Sequence, residues 1–312
     1  MELAYPAQLA WKRARVLAQL TGHSPLATLV AVEACVPSPR TMGYRNQAKY
    51  VFGRARDTGR LVLGAFAPRS HDLVDLAGCQ VVEPVLDEAR QALLEVLIDN
   101  VVEPFDEILR TGVLRYGVLR ATASGQVMAT LVSARHEWAD AESVARALCR
   151  SCPAVTSVIL NVNASAGNAL FGEHERVLVG QASIEDTIAD VRVRLSSRSF
   201  FQANRQVASG IYRDLVAASP DGIARAVDVY AGACGIALSL SRKIPWPREP
   251  PRIFWPSRAR PPSESAWSPA TPPAASPRSA MPALSCSILR ARGAVRKSSP
   301  LSLACAHRCS PT

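Results

Sequence analysis

Long apolar runs are missing from this 312-residue sequence: no stretch approaches the roughly 18 consecutive residues that a membrane-spanning helix needs. The opening Met1-Glu2-Leu3-Ala4-Tyr5-Pro6 also lacks the basic segment and apolar core of a secretory signal, so a cytoplasmic protein with no membrane partner is the expectation. Cysteine is scarce and irregularly spaced. The eight positions, Cys35, Cys79, Cys149, Cys152, Cys234, Cys286, Cys305 and Cys309, make no disulfide framework in a chain this long, and reduced thiols are expected. Acidic residues all but vanish near the C-terminus. From Lys243 onward there are 11 basic and 2 acidic residues, which leaves 25 against 24 for residues 1–242. The net charge of +10 therefore belongs to the tail, and the body lacks the basicity that by itself points to a nucleic acid.

With 48% hydrophobic and 20% charged residues, the chain has the composition of a globular protein and the length of two ordinary domains. Pro6 at a helix start, Leu9, Val16, Leu17 and Leu20 at helical spacing, and Gly22 as a stop predict one amphipathic helix within residues 1–39. Tyr50-Val51-Phe52 and Leu61-Val62-Leu63 flank the turn-forming Asp57-Thr58-Gly59, which predicts a hairpin. A second hairpin is expected around Ser124-Gly125, from Val113 to Thr122 and from Val127 to Ser133. Helices are expected over 85–98 and 140–150, and strands over 157–163 and 191–195, so residues 40–198 read as an α+β domain with antiparallel hairpins.

From residue 199 the pattern changes to a helix near 205–218 and then Ala226-Val227-Asp228-Val229-Tyr230-Ala231-Gly232, followed by a helix rich in Ala and Leu. Such a strand, small-residue turn and helix form the first step of a nucleotide-type α/β sheet over 199–242. Twelve prolines between 244 and 282 then rule out sustained helix or strand, and 243–312 is expected to be a disordered Pro/Ser/Arg-rich tail. A parallel sheet is not stable as one strand and one helix, so the second domain reads as truncated. The compositional switch after Arg242 fits an out-of-frame reading of a GC-rich gene.

Three motifs bear chemistry. Gly43-Tyr44-Arg45-Asn46-Gln47-Ala48-Lys49-Tyr50 sets Arg and Lys beside aromatic rings, which suits phosphates and unstacked bases; the plain alternative is a solvated edge strand. Ser199-Phe200-Phe201-Gln202-Ala203-Asn204 sets an amide beside aromatics, as in a pocket for a flat polar heterocycle, or simply as a core Phe pair. The turn at Asp228-x-Tyr230-x-Gly232 lets a ligand approach the backbone, as many α/β turns do.

In this order and spacing the three resemble motifs of the bacterial RNA uridine-5 methyltransferase family, and Tyr5-Pro6-Ala7-Gln8-Leu9 is similar to that family's opening helix. The resemblance covers roughly residues 3–242. It implies a central RNA-binding domain followed by an incomplete Rossmann-like methyltransferase domain, with S-adenosylmethionine as methyl donor and a uridine C5 in structured RNA as acceptor. DNA is not an expected partner. Residue by residue, it implies that Gln202, Tyr230, Asp228 and Gly232 shape the donor pocket and that Tyr44, Arg45, Asn46 and Lys49 face RNA. Cys79 resembles one ligand of an iron-sulfur cluster in the branch acting on large-subunit (23S) ribosomal RNA, although transfer RNA stays open as the substrate. The three partner cysteines would lie upstream of Tyr5, and no cluster or other metal is expected in this chain.

The departures matter as much. Cys234 stands where the family has the second Gly of its turn, the acidic residue that would hold the donor ribose has no counterpart, and the Ser-Cys-Asn/Asp-Pro nucleophile motif is absent. Ser285-Cys286-Ser287 and Cys309-Ser310-Pro311 echo it only superficially, in the tail. Cys149 and Cys152 read as helix-end cysteines without a shared role, and Cys305, His307 and Cys309 as a chance cluster. No catalytic residue is therefore assigned. The competing reading is a catalytically inactive remnant that at most binds RNA; a small-molecule methyltransferase, which would have no use for the Tyr44 to Tyr50 segment, ranks below both. If the tail is read out of frame, the genomic DNA beyond codon 242 translated in the other two frames will show strand and helix alternation resuming, and finding none there would overturn the frameshift.

Overall fold

The computed structural model describes residues 3–23, 31–166, 169–222, 226, 228, 229, 231–241 and 243. The tail expected to be disordered, Tyr230, Cys286, Cys305 and Cys309 lie outside the described residues. No helix among those described is long and apolar enough to cross a membrane.

A seven-stranded mixed sheet organises the chain. Strands β1 (Gln47–Arg54) and β2 (Leu61–Phe66) form the first hairpin, closed at Gly59, whose φ of +66° is one that glycine adopts without steric cost. The second hairpin joins β4 (Leu114–Ala121) and β5 (Val127–Ser133) through Gly125 at φ +82°. Between them in sequence come a three-residue edge strand β3 (Leu73–Asp75) and helix α2 (Pro84–Asp99). After β5, helix α3 (Ala141–Ser151) crosses over to β6 (Val155–Val162), which pairs parallel with β5, and β7 (His174–Val179) completes the order β3-β2-β1-β4-β5-β6-β7. The parallel pair was not expected among the antiparallel hairpins; it follows from placing a helix between two strands that must lie side by side.

Each face of the sheet is covered. On one, α2 buries Leu86, Ala89, Leu93, Val96 and Leu97 at helical spacing, and α3 buries Ala141, Val144, Ala145 and Leu148; both meet Tyr50, Phe52, Leu119, Leu131 and Leu160 in the main core. On the other, the two-stranded ribbon of β8 (Ser183–Ile188) and β9 (Val191–Ser196) and helix α4 (Arg205–Ala218) form a second core. There Met128 and Ile159 of the sheet meet Ile184, Ile188, Val193, Leu195, Phe201 and Ala208. Every residue of β5 is consequently buried. Phe201 and Ala208, beyond the expected domain boundary at 198, share this core with residues of the central sheet. Helix α1 (Tyr5–His23) is largely exposed; the Tyr5 hydroxyl accepts a hydrogen bond from the Ser38 amide at 2.6 Å, and Arg13 Nε donates to the Val32 carbonyl.

The strands β3, β7 and β8 carry weak sequence signals, because β3 is short, β7 opens on three polar residues, and β8 sets two acidic residues between its apolar ones. Of the strand expected to end at Asp228, residues 226 and 228 are not in a strand, whereas the helix after it is present as α5 (Gly235–Leu240). A strand exists only through its ladder partners, and among the described residues none lies beside this segment. Leu86, fully buried between α2 and the sheet, measures the main core: Leu86→Ala is expected to lower unfolding stability by about 2–5 kcal/mol in urea denaturation.

Candidate functional site

The polypeptide leaving β9 does not return to its own ribbon. Residues 197–205 run as a strap across the second face of the large sheet, from β7 on one edge to the start of β1 beyond the middle. At β7 the Ser197 hydroxyl donates to both carboxylate oxygens of Glu175, at 2.9 and 2.8 Å, and Arg198 pairs with the same carboxylate while also donating to the Gly172 carbonyl. At β4, Arg120 Nη2 donates to the Ser199 carbonyl at 2.5 Å. Just before β1, Asn46 Nδ2 donates to the Gln202 carbonyl at 3.0 Å, and the Asn46 main-chain amide donates to the Ala203 carbonyl at 2.9 Å. Phe201 is buried in the second core, whereas its neighbours Phe200, 71% exposed, and Gln202 lie at the surface. That alternation is what an extended segment produces when one side rests on a sheet.

The strap ends in an N-cap and an ion-pair hub. Asn204 Oδ1 accepts from the Val207 amide at 3.0 Å, capping α4, while its Nδ2 donates to the Ser38 hydroxyl. Arg205 then reaches back with three bonds: Nε to Asp186 at 3.0 Å, Nη1 to Glu83 at 2.8 Å and Nη2 to the Ala121 carbonyl at 2.8 Å. The Asp186 side chain is fully buried; besides Arg205, its carboxylate accepts from the Ala123 and Thr187 amides. Burial raises the pKa of Glu83 above its ordinary value, and the Arg205 cation opposes that rise without cancelling it. Burial likewise pulls the Arg120 guanidinium down to about 10, with Asp186 opposing.

The expected donor-pocket residues are distributed as follows. Gln202 is exposed on the strap, and its side chain has no hydrogen-bond partner among the described residues. The Asp228 carboxylate accepts from the Ala237 amide at 3.1 Å, so it caps the first turn of α5. Gly232 holds φ +57° and Cys234 φ +58°. A left-handed conformation at Cys234 costs roughly 1–2 kcal/mol that glycine would not incur, which is the physical content of the departure at this position. Gly235 is needed for a different reason: a Cβ there would lie 2.7 Å from the Tyr212 ring of α4.

Of the expected RNA-facing residues, Arg45 and Lys49 are exposed and Tyr44 is half-buried. Asn46 is corrected: it is 1% exposed, and its side chain holds the strap, so it cannot reach a phosphate or base. A short polar residue between aromatic and basic neighbours reads from sequence as part of their surface, and only the strap's distance of 156 residues along the chain hides its actual partner. Arg120, Asp186, Glu83 and Arg205 were missed altogether. Their one local signal was a charge set among apolar residues, as in Val118-Leu119-Arg120-Ala121.

Three of the free thiols, Cys79, Cys149 and Cys152, pack with the main core on the sheet face opposite the strap, and burial raises the Cys149 pKa, with Cys152 adding to the rise; Cys35 is half-buried in the segment that leads to Ser38. Among the described residues no three His, Cys, Asp or Glu side chains converge to hold a metal.

No family model matches the sequence. Over 240 residues, 76% of this chain and 48% of the relative, it is 33% identical to an uncharacterized RNA methyltransferase of Geobacter sulfurreducens. A second uncharacterized RNA methyltransferase, from Lactobacillus johnsonii, is 32% identical over 246 residues, 78% of this chain and 53% of the relative. The chain thus spans about half the length of the curated relatives it matches. Among solved structures, the Pyrococcus abyssi tRNA (uracil-54, C5)-methyltransferase in complex with S-adenosyl-L-homocysteine superposes with a TM-score of 0.60 at 24% identity, over 77% of this chain and 55% of that one. That likeness is one of fold.

The hub has a titration consequence. Because the folded state holds Glu83 at a raised pKa, its contribution favours folding at low pH and is lost as pH rises through that raised value. Urea unfolding across pH is expected to show wild type losing stability relative to Glu83→Gln as pH climbs from the ordinary glutamate value, with a flat difference speaking against the assignment.

Proposed function

We infer that this chain, a relative of bacterial RNA methyltransferases spanning about half their length, carries the RNA-engaging module and the entrance to the methyl-donor pocket of an RNA uridine-5 methyltransferase. The donor is S-adenosylmethionine, and the acceptor is C5 of a uridine in structured RNA, with large-subunit (23S) ribosomal RNA as the substrate. The observation that carries this reading is the strap. It places the Phe200 and Gln202 side chains at the surface, and its main chain is bonded to the segment that leads through Arg45 and Asn46 into Lys49 of β1. Of the residues read as donor-facing, Gln202 therefore adjoins the segment that carries Tyr44, Arg45 and Lys49.

The side chains on hand suit binding and orientation. Arg45 and Lys49 supply positive charge for phosphates, and exposed Phe200 supplies a face on which an unstacked base can lie. Gln202 offers a donor and an acceptor to a polar ligand, and Gly232 holds the positive φ of a tight glycine turn; these suit an S-adenosyl ligand, with Cys234 as the departure. When bound, that ligand supplies an electrophilic methyl group. Uracil C5 becomes nucleophilic only after a thiolate adds at C6, and a base must later remove the C5 proton. Cys79, Cys149 and Cys152 lie on the far side of the sheet from the strap, which supports the view that the attacking thiol is not among them.

The same observation favours a second reading for the chain in isolation, an RNA binder without turnover. The test is incubation of the 312-residue chain with unmodified 23S ribosomal RNA fragments and transfer RNA transcripts in the presence of methyl-labelled S-adenosylmethionine. RNA binding without methyl transfer is the expected outcome. Lys49→Ala should weaken that binding across sequences and lower the slope of log affinity against log salt by about 1. Label recovered at uridine C5 would instead locate the nucleophile within this chain.

A further inference from the structure

Two polar side chains are buried beneath the strap, each with a single group of the strap as its side-chain partner. Arg120 is 3% exposed in the central strand β4, next to Met128 of β5, and donates through Nη2 to the Ser199 carbonyl, while its buried Nη1 has no hydrogen-bond partner among the described residues. Asn46 donates through Nδ2 to the Gln202 carbonyl, while its buried Oδ1 likewise has none. Burying a guanidinium and an amide with part of their hydrogen-bonding capacity unmet opposes folding. An apolar side chain at position 46 would avoid that penalty, and one at position 120 would avoid it at the loss of the charge that Arg120 sets near Asp186, so the two contacts serve orientation more than stability.

Their placement says what is oriented. The gripped carbonyls belong to Ser199 and Gln202, one on each side of the Phe200-Phe201 pair. Phe201 anchors inward between the two grips, and a shift of one residue would exchange the buried and exposed side chains of the segment. We propose that Asn46 and Arg120 are positioning residues for Gln202, fixing the register of the strap so that Phe200 and Gln202 face outward. The proposal rests on the reading of Gln202 as a donor-contacting residue.

The test uses the full chain with Asn46→Leu and Arg120→Met, which keep bulk but remove the donors; Asn46→Leu alone carries the test if Arg120→Met does not fold. Leu97→Ala, in the opposite core, serves as the control for general destabilisation. Two quantities are read: hydrogen exchange at the amide of residue 46, which reports attachment of the strap through its bond to Ala203, and the affinity for S-adenosylhomocysteine by calorimetry. Both positioning variants should speed that exchange and weaken that affinity by about fivefold or more, the size of one lost net hydrogen bond, while Leu97→Ala moves neither. Unchanged exchange in the two variants, or an equal effect from Leu97→Ala, overturns the proposal. So does an affinity that stays constant while exchange rises. If wild type binds no S-adenosylhomocysteine, the donor reading of Gln202 falls, and the exchange measurement alone decides whether the two residues hold the strap.

Discussion

The buried carboxylate of Asp186 is the constraint on which the second face of the molecule turns. A fully buried carboxylate needs compensation, and it receives two main-chain amides and the Arg205 guanidinium. Because Arg205 also meets Glu83 ahead of α2 and the Ala121 carbonyl at the end of β4, one side chain ties the ribbon, the sheet and the start of α4 together. The strap preceding Arg205 has its far end fixed at Glu175 and its near end fixed at this hub. Whatever it presents to solvent is therefore presented in one place.

From that constraint the functional arrangement follows. Phe201 fills the second core, and the residues on either side of it turn outward. The main chain of residues 45 and 46 bonds to that of residues 203 and 204, so a basic, aromatic strand entry and an amide-bearing segment are neighbours although they lie more than 150 residues apart in sequence. The relatives named as RNA methyltransferases match about three quarters of this chain and about half of their own length.

Much of the fold was legible because its elements announce themselves locally. The two hairpins are marked by Gly59 and Gly125 at turns that need positive φ, and α2 and α3 by apolar residues at helical spacing. The elements that escaped, β3, β7 and β8, owe their existence to neighbours: three residues of β3 pair with β2, and the apolar residues of β8 are buried only because the ribbon lies against Met128 and Ile159. Among the site residues, Arg45, Lys49 and Gln202 are exposed. Asn46 is buried, and its partner is a carbonyl that no local pattern points to.

By itself the sequence determined the local elements, the near-neutral body and basic tail, and the order of motifs that resembles that of RNA methyltransferases. Those are properties of residue type and spacing, which short-range sterics and periodic burial translate directly. Only the tertiary structure decided that Glu83, Asp186 and Arg205 act together, and that Asn46 and Arg120 each donate to a carbonyl of the strap. The physical reason is that a hydrogen bond or ion pair under a sheet depends on the path of the chain in three dimensions, and groups brought together by that path carry no mark of one another along the chain.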